Sequence, residues 1–435
     1  MSPPALLIAA ARSGSGKTTL ALGLMRALTR RGLRVSAIKC GPDYIDPAFH
    51  TAATGRPSLN LDSWAMSSEL IQEIVQSAQQ NADVLIAEGA MGLFDGAPQG
   101  ASGIGASADI AKLLGWPILL IHDISGQAQT AAALLRGLAT HDPNLTFAGV
   151  VLNRCSSPRH LNLVSGEINK ISLPILGAFP KDDTQILPER HLGLVQAAET
   201  DHLEQRLNRL ADFVEKHINV EALINHSQST QPFAKEAQLS KVSPPGQRIA
   251  IARDEAFSFL YPHVMQAWRN AGAELYFFSP LANQAPPNAC DLCWLPGGYP
   301  ELHAQKLAQA DRFLQGVKNF AQTRPVHGEC GGFMVLGKTL TDATGETLPM
   351  LGLLELETSF AKRKLHLGYR QARLVADHCL GKTNKLLRGH EFHYATITRE
   401  EGAPFALVRD AYEHEEKAAG LRTGQVSGSF FHIIA

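Results

Sequence analysis

The run Ser13-Gly14-Ser15-Gly16-Lys17-Thr18-Thr19 has the composition of a phosphate cradle. Its glycines let backbone N–H groups approach phosphate oxygens, and a helix opening at Lys17 turns its positive end toward them. In such a cradle the Lys17 ammonium neutralises the β- and γ-phosphates of ATP and the Thr18 hydroxyl binds Mg2+. The strict G-x-x-x-x-G-K-[ST] spacing is not met, because Ala11 stands at the position of its first glycine. Two acidic blocks can complete the site. One runs from Lys39 through Asp43 and Asp46 to Pro47, the other from Glu88 through Asp95 to Gly96. Mg2+ takes a few carboxylates together with phosphate oxygens and water. Each block alone reads equally well as an Asx turn or a solvated loop; next to the cradle, both favour function.

A second chemistry sits far along the chain, in Pro325-Val326-His327-Gly328-Glu329-Cys330-Gly331-Gly332-Phe333. A cysteine on a tight strand-to-helix turn is presented outward, and the helix start favours its thiolate. It needs a base, and His432 in Gly428-Ser429-Phe430-Phe431-His432 is the candidate, since cysteine–histidine pairs are spatial and not sequential. The loop Leu295-Pro296-Gly297-Gly298-Tyr299-Pro300 can offer N–H groups to an oxyanion. A lone cysteine is more often a small buried hydrophobe; the flanking glycines and the upstream Pro-Gly-Gly loop argue for a nucleophile here. Cys290 and Cys293 form a C-x-x-C without a second pair, and the 17 histidines show no H-E-x-x-H spacing, so zinc is not expected.

The elements that must position these residues are legible as alternation. Apolar runs at 5–11, 35–40, 82–89, 117–123, 147–153 and 174–180 read as buried strands, separated by helical stretches such as 17–31, 69–80 and 127–140. Alternating strands and helices imply an α/β fold with a parallel sheet covered on both faces. Residues 225–247 are polar and rich in Ser, Gln and Pro, the composition of a linker. A second series follows in RIAIARD, ELYFFSP, CDLCWLPGG and PVHGEC, then antiparallel-looking GYRQARLVA and GHEFHYATI. The expected division is a P-loop domain over 1–224, a linker over 225–247 and a second α/β domain over 248–435.

At 435 residues, 45% hydrophobic and 19% charged, the chain can bury two cores. A formal charge of −1 gives no general reason to expect nucleic acid or an anionic membrane as partner. The short apolar stretch at 5–11 lacks a basic flank and runs into the Gly-rich turn, unlike a secretory signal, and six dispersed cysteines do not suggest a disulfide framework. A cytoplasmic protein is expected.

Taken together, SGSGKTT, KCGPDYIDPAFH running to GRPSLNLDSW, AEGAMGLFDG, LPGGYPE, HGECGGFMVLG, GHEFHYA and GSFFH strongly resemble the cobyrinate and hydrogenobyrinate a,c-diamide synthases of cobalamin biosynthesis, over nearly the whole chain. The resemblance implies a dethiobiotin-synthetase-like ATPase domain, a doubly wound parallel sheet, joined to a class I glutamine amidotransferase domain. It implies ATP and glutamine as co-substrates, Mg2+ as cofactor and a corrinoid as substrate, with no nucleic acid or membrane partner; a homodimer is an open expectation. On the same resemblance, glutamine would be hydrolysed at Cys330 through a thioester, with His432 as base. Ammonia would then displace phosphate from a corrinoid acyl phosphate, at one acetate side chain and then another. By position, Ser13 through Thr19 hold the nucleotide, Thr18, Asp43 and Glu88 the metal, and Asp46 and Asp95 line the reacting centre. Asn153 matches the residue that reads adenine.

Two blocks depart from the family, and a third departs from class I glutaminases at large in a way the related synthases commonly share. Ala10-Ala11 replace Gly-Thr before the phosphate loop, Ala395 replaces Ser after GHEFHY, and Ile434 occupies the place where most class I glutaminases carry a Glu, two residues after the histidine. The last departure leaves Cys330 and His432 as a dyad. Cobyric acid synthases share both domain types, but the GPDYIDP and NLD-W blocks point away from them. A non-enzymatic P-loop regulator leaves the second half of the chain unexplained. The compact length and the SFFHIIA ending lean toward the cobalt-free substrate, hydrogenobyrinate.

Overall fold

The computed structural model describes residues 2–182, 184, 189–190, 193–194, 196–229, 243–413 and 415–435. The chain forms two compact units, Met1–Ser240 and Lys241–Ala435. Most of the expected linker, residues 230–242, lies outside the described residues, and Gln228–Ser229 within it pairs antiparallel with Pro4–Ala5 at the start of the first unit's central strand.

In the first unit seven parallel strands, β1 (Pro4–Ala10), β2 (Val35–Cys40), β3 (Leu59–Leu61), β4 (Val84–Glu88), β5 (Ile118–Asp123), β6 (Phe147–Cys155) and β7 (Ile175–Pro180), lie in the order β3-β2-β4-β1-β5-β6-β7. Their central members are buried throughout, as strands covered on both faces must be, and so read as unbroken apolar runs. All expected strands are present, and β3 is added. Three residues in SLNLD are too short a signal for periodicity to find. Helix α1 (Lys17–Arg30) follows β1 directly, and α2 (Asp46–Thr54) follows β2 with Pro47 in its first turn and left-handed Gly55 at its end. The chain runs to both sides of β1, so the loop after β1 lies where the sheet changes winding direction, the usual ligand position in such sheets.

The second unit is also α/β. Strands Glu274–Phe278, Arg248–Ala252, Leu292–Leu295, Val326–Glu329 and Val426–Ser429 form a parallel set, continued by an antiparallel set that ends on Leu386–His393 and His432–Ile433. Only Phe430 and Phe431 separate Val426–Ser429 from His432–Ile433, yet four strands lie between them in the sheet order. The antiparallel part must therefore curl back on itself, which returns His432 to the neighbourhood of the Val326–Glu329 strand. The core beneath is built from Phe257, Phe313, Phe320, Phe333 and Leu336, all buried.

Candidate active sites

The phosphate loop owes its shape to Gly16, whose φ of 100° suits glycine alone. A Cβ there would also lie 2.4 Å from the Asn153 amide nitrogen. That amide donates to the Ser15 carbonyl at 2.8 Å, so Asn153 braces the loop in this structure. Ser13 and Gly14 form the exposed crest, Ser15 is buried with its hydroxyl donating to Arg12 O at 3.0 Å, and Thr18 and Thr19 fall in the first turn of α1. The Lys17 ammonium donates to the carbonyls of Met91 at 2.6 Å and Arg12 at 3.3 Å, spanning the ends of β1 and β4. Burial, and then the neighbouring Lys39 charge, lower its pKa to about 8.

Around Lys17 the structure gathers residues from four elements. Glu88, at the end of β4, accepts the Thr18 hydroxyl at 2.7 Å and the Lys39 ammonium at 3.1 Å on one oxygen, and faces His50 Nε2 at 2.7 Å with the other. Lys39, near the end of β2, also donates to Asp46 at 2.5 Å. Burial alone would neutralise this lysine, but Asp46 and Glu88 overcome it and hold it charged. Burial likewise opposes the Glu88 charge and loses, to Lys39 and His50, so that carboxyl stays well below its usual range. Asp46 goes the other way. Burial and the nearby Asp43 raise it to about 8 despite Lys39.

Asp43 and Asp95 are drawn into their own loops. Asp43 Oδ1 accepts the N–H groups of Ile45 and Asp46 at the start of α2, and Asp95 Oδ2 accepts that of Gly92 at 2.8 Å. Asp95 still acts electrostatically on Lys17. In the sequence, Lys39 and His50 fall within the recognised blocks but carried no assigned role. Their signals were present: a lone lysine inside the apolar run VSAIKC is rarely buried without acidic partners, and His50 follows Asp46 at helical spacing. Among the described residues no group of three or more His, Cys, Asp and Glu side chains could hold a metal by itself. The hard oxygens of Thr18 and Glu88, in contact beside the loop, fit Mg2+, which keeps water and phosphate ligands.

In the second unit Cys330 has φ 47° and ψ −102°, a conformation that costs a non-glycine residue about 1–3 kcal/mol. The strain comes from leaving strand Val326–Glu329 directly into helix Gly331–Leu336. The turn is tight enough that a Cβ at Gly332 would lie 1.9 Å from Leu295 O, which explains the paired glycines after the cysteine. Cys330 N–H donates to Ser429 O at 2.8 Å, tying the turn to the adjacent strand. His432, fully buried, lies against the Pro-Gly-Gly loop, where a Cβ at Gly297 would come within 2.4 Å of its ring; the same loop's Gly298 N lies 3.0 Å from the Cβ position of Gly331. Thus Cys330 and His432 flank one glycine loop.

The expected thiolate is not the resting form here. The Gly331 N–H does lower the thiol pKa, but burial, then the negative charge of Glu301, raise it further. Burial, with His390 and His393 nearby, likewise keeps His432 neutral by lowering its pKa. Thiol and imidazole are both uncharged at rest.

Residues 6–195 match the model of the CobQ/CobB/MinD/ParA nucleotide binding domain, and residues 248–435 that of the CobB/CobQ-like glutamine amidotransferase domain. The chain is 55% identical to the hydrogenobyrinate a,c-diamide synthase of Mesorhizobium japonicum, 52% to that of Agrobacterium fabrum and 53% to that of Rhodobacter capsulatus. Each alignment covers 100% of this chain and 99% of the relative. No helix among the described residues is long and apolar enough to cross a membrane.

Proposed function

Because the chain belongs to the hydrogenobyrinate a,c-diamide synthase family of glutamine-hydrolysing ligases, we propose that it amidates the a- and c-acetate carboxylates of hydrogenobyrinate, using ATP and glutamine, through an acyl phosphate. The observation that carries this reading is the buried network joining the phosphate loop to Glu88, Lys39 and Asp46. A carboxylate is a poor acyl donor, and phosphorylation gives it a leaving group. Backbone N–H groups of residues 13–18 and the Lys17 ammonium bind the triphosphate and offset charge on the transferring phosphoryl group. Thr18 and Glu88 would hold Mg2+, which when bound neutralises phosphate charge; Asp43 is kept as a further ligand in this proposal. Lys39, held charged, orients the acceptor carboxylate, and Asp46, which accepts from Lys39 at 2.5 Å, lines the reacting centre beside it. Asp95 keeps the loop after β4 folded beside the reacting centre, and Asn153 reads the adenine ring.

At the second site Cys330 attacks the glutamine carboxamide, His432 moves the proton, and ammonia leaves to be used at the first site. Cytoplasmic operation and a homodimeric state belong to the same proposal. The test offers hydrogenobyrinate and cobyrinate in competition, with enzyme, ATP, Mg2+ and glutamine, and reads products by mass spectrometry. Diamide formed first from hydrogenobyrinate is the expected result; preferential amidation of cobyrinate would reverse the substrate assignment.

A further inference from the structure

The family's missing acid, replaced by Ile434, has a substitute in space. Resting on the glutaminase reading above, we propose that Glu329, the residue immediately before the nucleophile, is the positioning residue for His432. Its Oε1 accepts the Ile433 N–H at 3.0 Å, and its Oε2 lies 3.9 Å from His432 Nδ1. The backbone amide next to the histidine thus pins the carboxyl group against the ring. Glu329 is only 5% exposed, and burial raises its pKa to about 8 against the pull of the Ile433 N–H. Burying a carboxyl group without a basic partner is unfavourable, so a purely structural role accounts poorly for a Glu here. A partner that becomes cationic during turnover accounts for it well.

With Glu329 ionised, His432 carries its proton on Nδ1, toward the carboxylate, and leaves the Nε2 lone pair as the base. Nε2 takes the proton from Cys330 Sγ as sulfur bonds to the carboxamide carbon of glutamine. The imidazolium, stabilised by Glu329, then returns that proton to the departing nitrogen as the C–N bond breaks, releasing ammonia and leaving a thioester. Water, deprotonated by Nε2, attacks the thioester; the C–S bond breaks and sulfur recovers the proton, giving glutamate. The acid reaches the ring from the nucleophile's own strand and not from two residues beyond the histidine.

Other groups face the same atoms and stay unchanged in the variants below. His390 stacks on His432 with ring centres 5.1 Å apart and meets the Tyr261 hydroxyl at 2.9 Å; His393 also acts on His432, and Glu301 and Glu391 act on Cys330.

The test uses full-length Glu329→Gln and Glu329→Asp enzymes. In Glu329→Gln the kcat for glutamine hydrolysis should fall on the order of 10²-fold, with KM for glutamine changed by less than about twofold. The ionisation limb belonging to the carboxylate should vanish from the pH profile, and Glu329→Asp should recover much of the rate. The unchanged KM for glutamine, together with ammonia-driven amidation, reports that each variant is folded. Wild-type kcat and an unaltered pH profile in Glu329→Gln would overturn the proposal. If Glu329→Gln loses ammonia-driven amidation as well, alkylation of Cys330 in the wild-type enzyme by a chloroketone analogue of glutamine decides. Its rate must show two ionisations on the acid side of the profile, and a single one overturns the proposal. If the wild-type enzyme releases no glutamate from glutamine, the glutaminase reading itself fails, a result distinct from the one that removes Glu329 alone.

Discussion

Lys17, in the proposed phosphate site, has a pKa lowered to about 8, by burial first and Lys39 second. Below that pH the ammonium is already charged; above it the resting side chain has lost its proton. Bound triphosphate favours the charged form, so ATP binding above pH 8 must draw a proton from solvent. Calorimetry in buffers of different ionisation enthalpy should find uptake of about one proton at pH 9 and nearly none at pH 7 from this group. Lys17→Met should abolish the difference, and zero uptake by the wild-type enzyme at pH 9 would remove Lys17 from contact with phosphate. Lys39 offers a second check. Removing it leaves Glu88 and Asp46 buried without their cation, so Lys39→Met should lower unfolding stability by about 3–5 kcal/mol in denaturant titration and abolish amidation. At this scale the sequence was readable where residue types are tied to backbone shape, as in Ser13–Thr19 and Gly328–Gly332. It was less readable where a side chain matters through its partners. Lys39, His50 and Glu329 acquire meaning only from Asp46, Glu88 and His432, which the loop before α2, strand pairing and the curl of the second sheet bring against them.

Two turns carry the proposed sites, and each makes its own demand on the backbone. In the phosphate loop, Gly16→Ala places a Cβ at φ 100° and against Asn153. ATP affinity should fall at least tenfold, equivalent to about 1.4 kcal/mol, while glutamine hydrolysis in the second unit persists. Unchanged ATP affinity would mean that the loop tolerates another shape. At the nucleophile turn, glycine relieves the strain at φ 47° that alanine retains. Cys330→Gly should therefore melt no lower than Cys330→Ala, although it deletes one more buried carbon; a clearly lower melting temperature would show that the turn is unstrained. The flanking strands were legible because buried parallel strands read as unbroken apolar runs. The antiparallel curl that carries His432 back beside the Cys330 strand was not, because it depends on pairing among strands distant in sequence.

Across the whole chain, the proposed function gives the two units chemistries that suit one another: one would consume ammonia at an activated carboxylate and the other would produce it from glutamine. The near-neutral formal charge of −1 leaves recognition to these local sites. Composition and alternation sufficed to read two α/β units, while the division of labour rested on a few short motifs. The central claim is that the sites are chemically separable, and Cys330→Ser tests it most directly. The variant and the wild-type enzyme are each supplied with ATP, Mg2+ and hydrogenobyrinate, with either glutamine or ammonium chloride as nitrogen source. The two-site scheme predicts that the variant forms no amide from glutamine yet amidates with ammonia at close to the wild-type rate. Equal loss with both nitrogen sources, or full activity with glutamine, would contradict it.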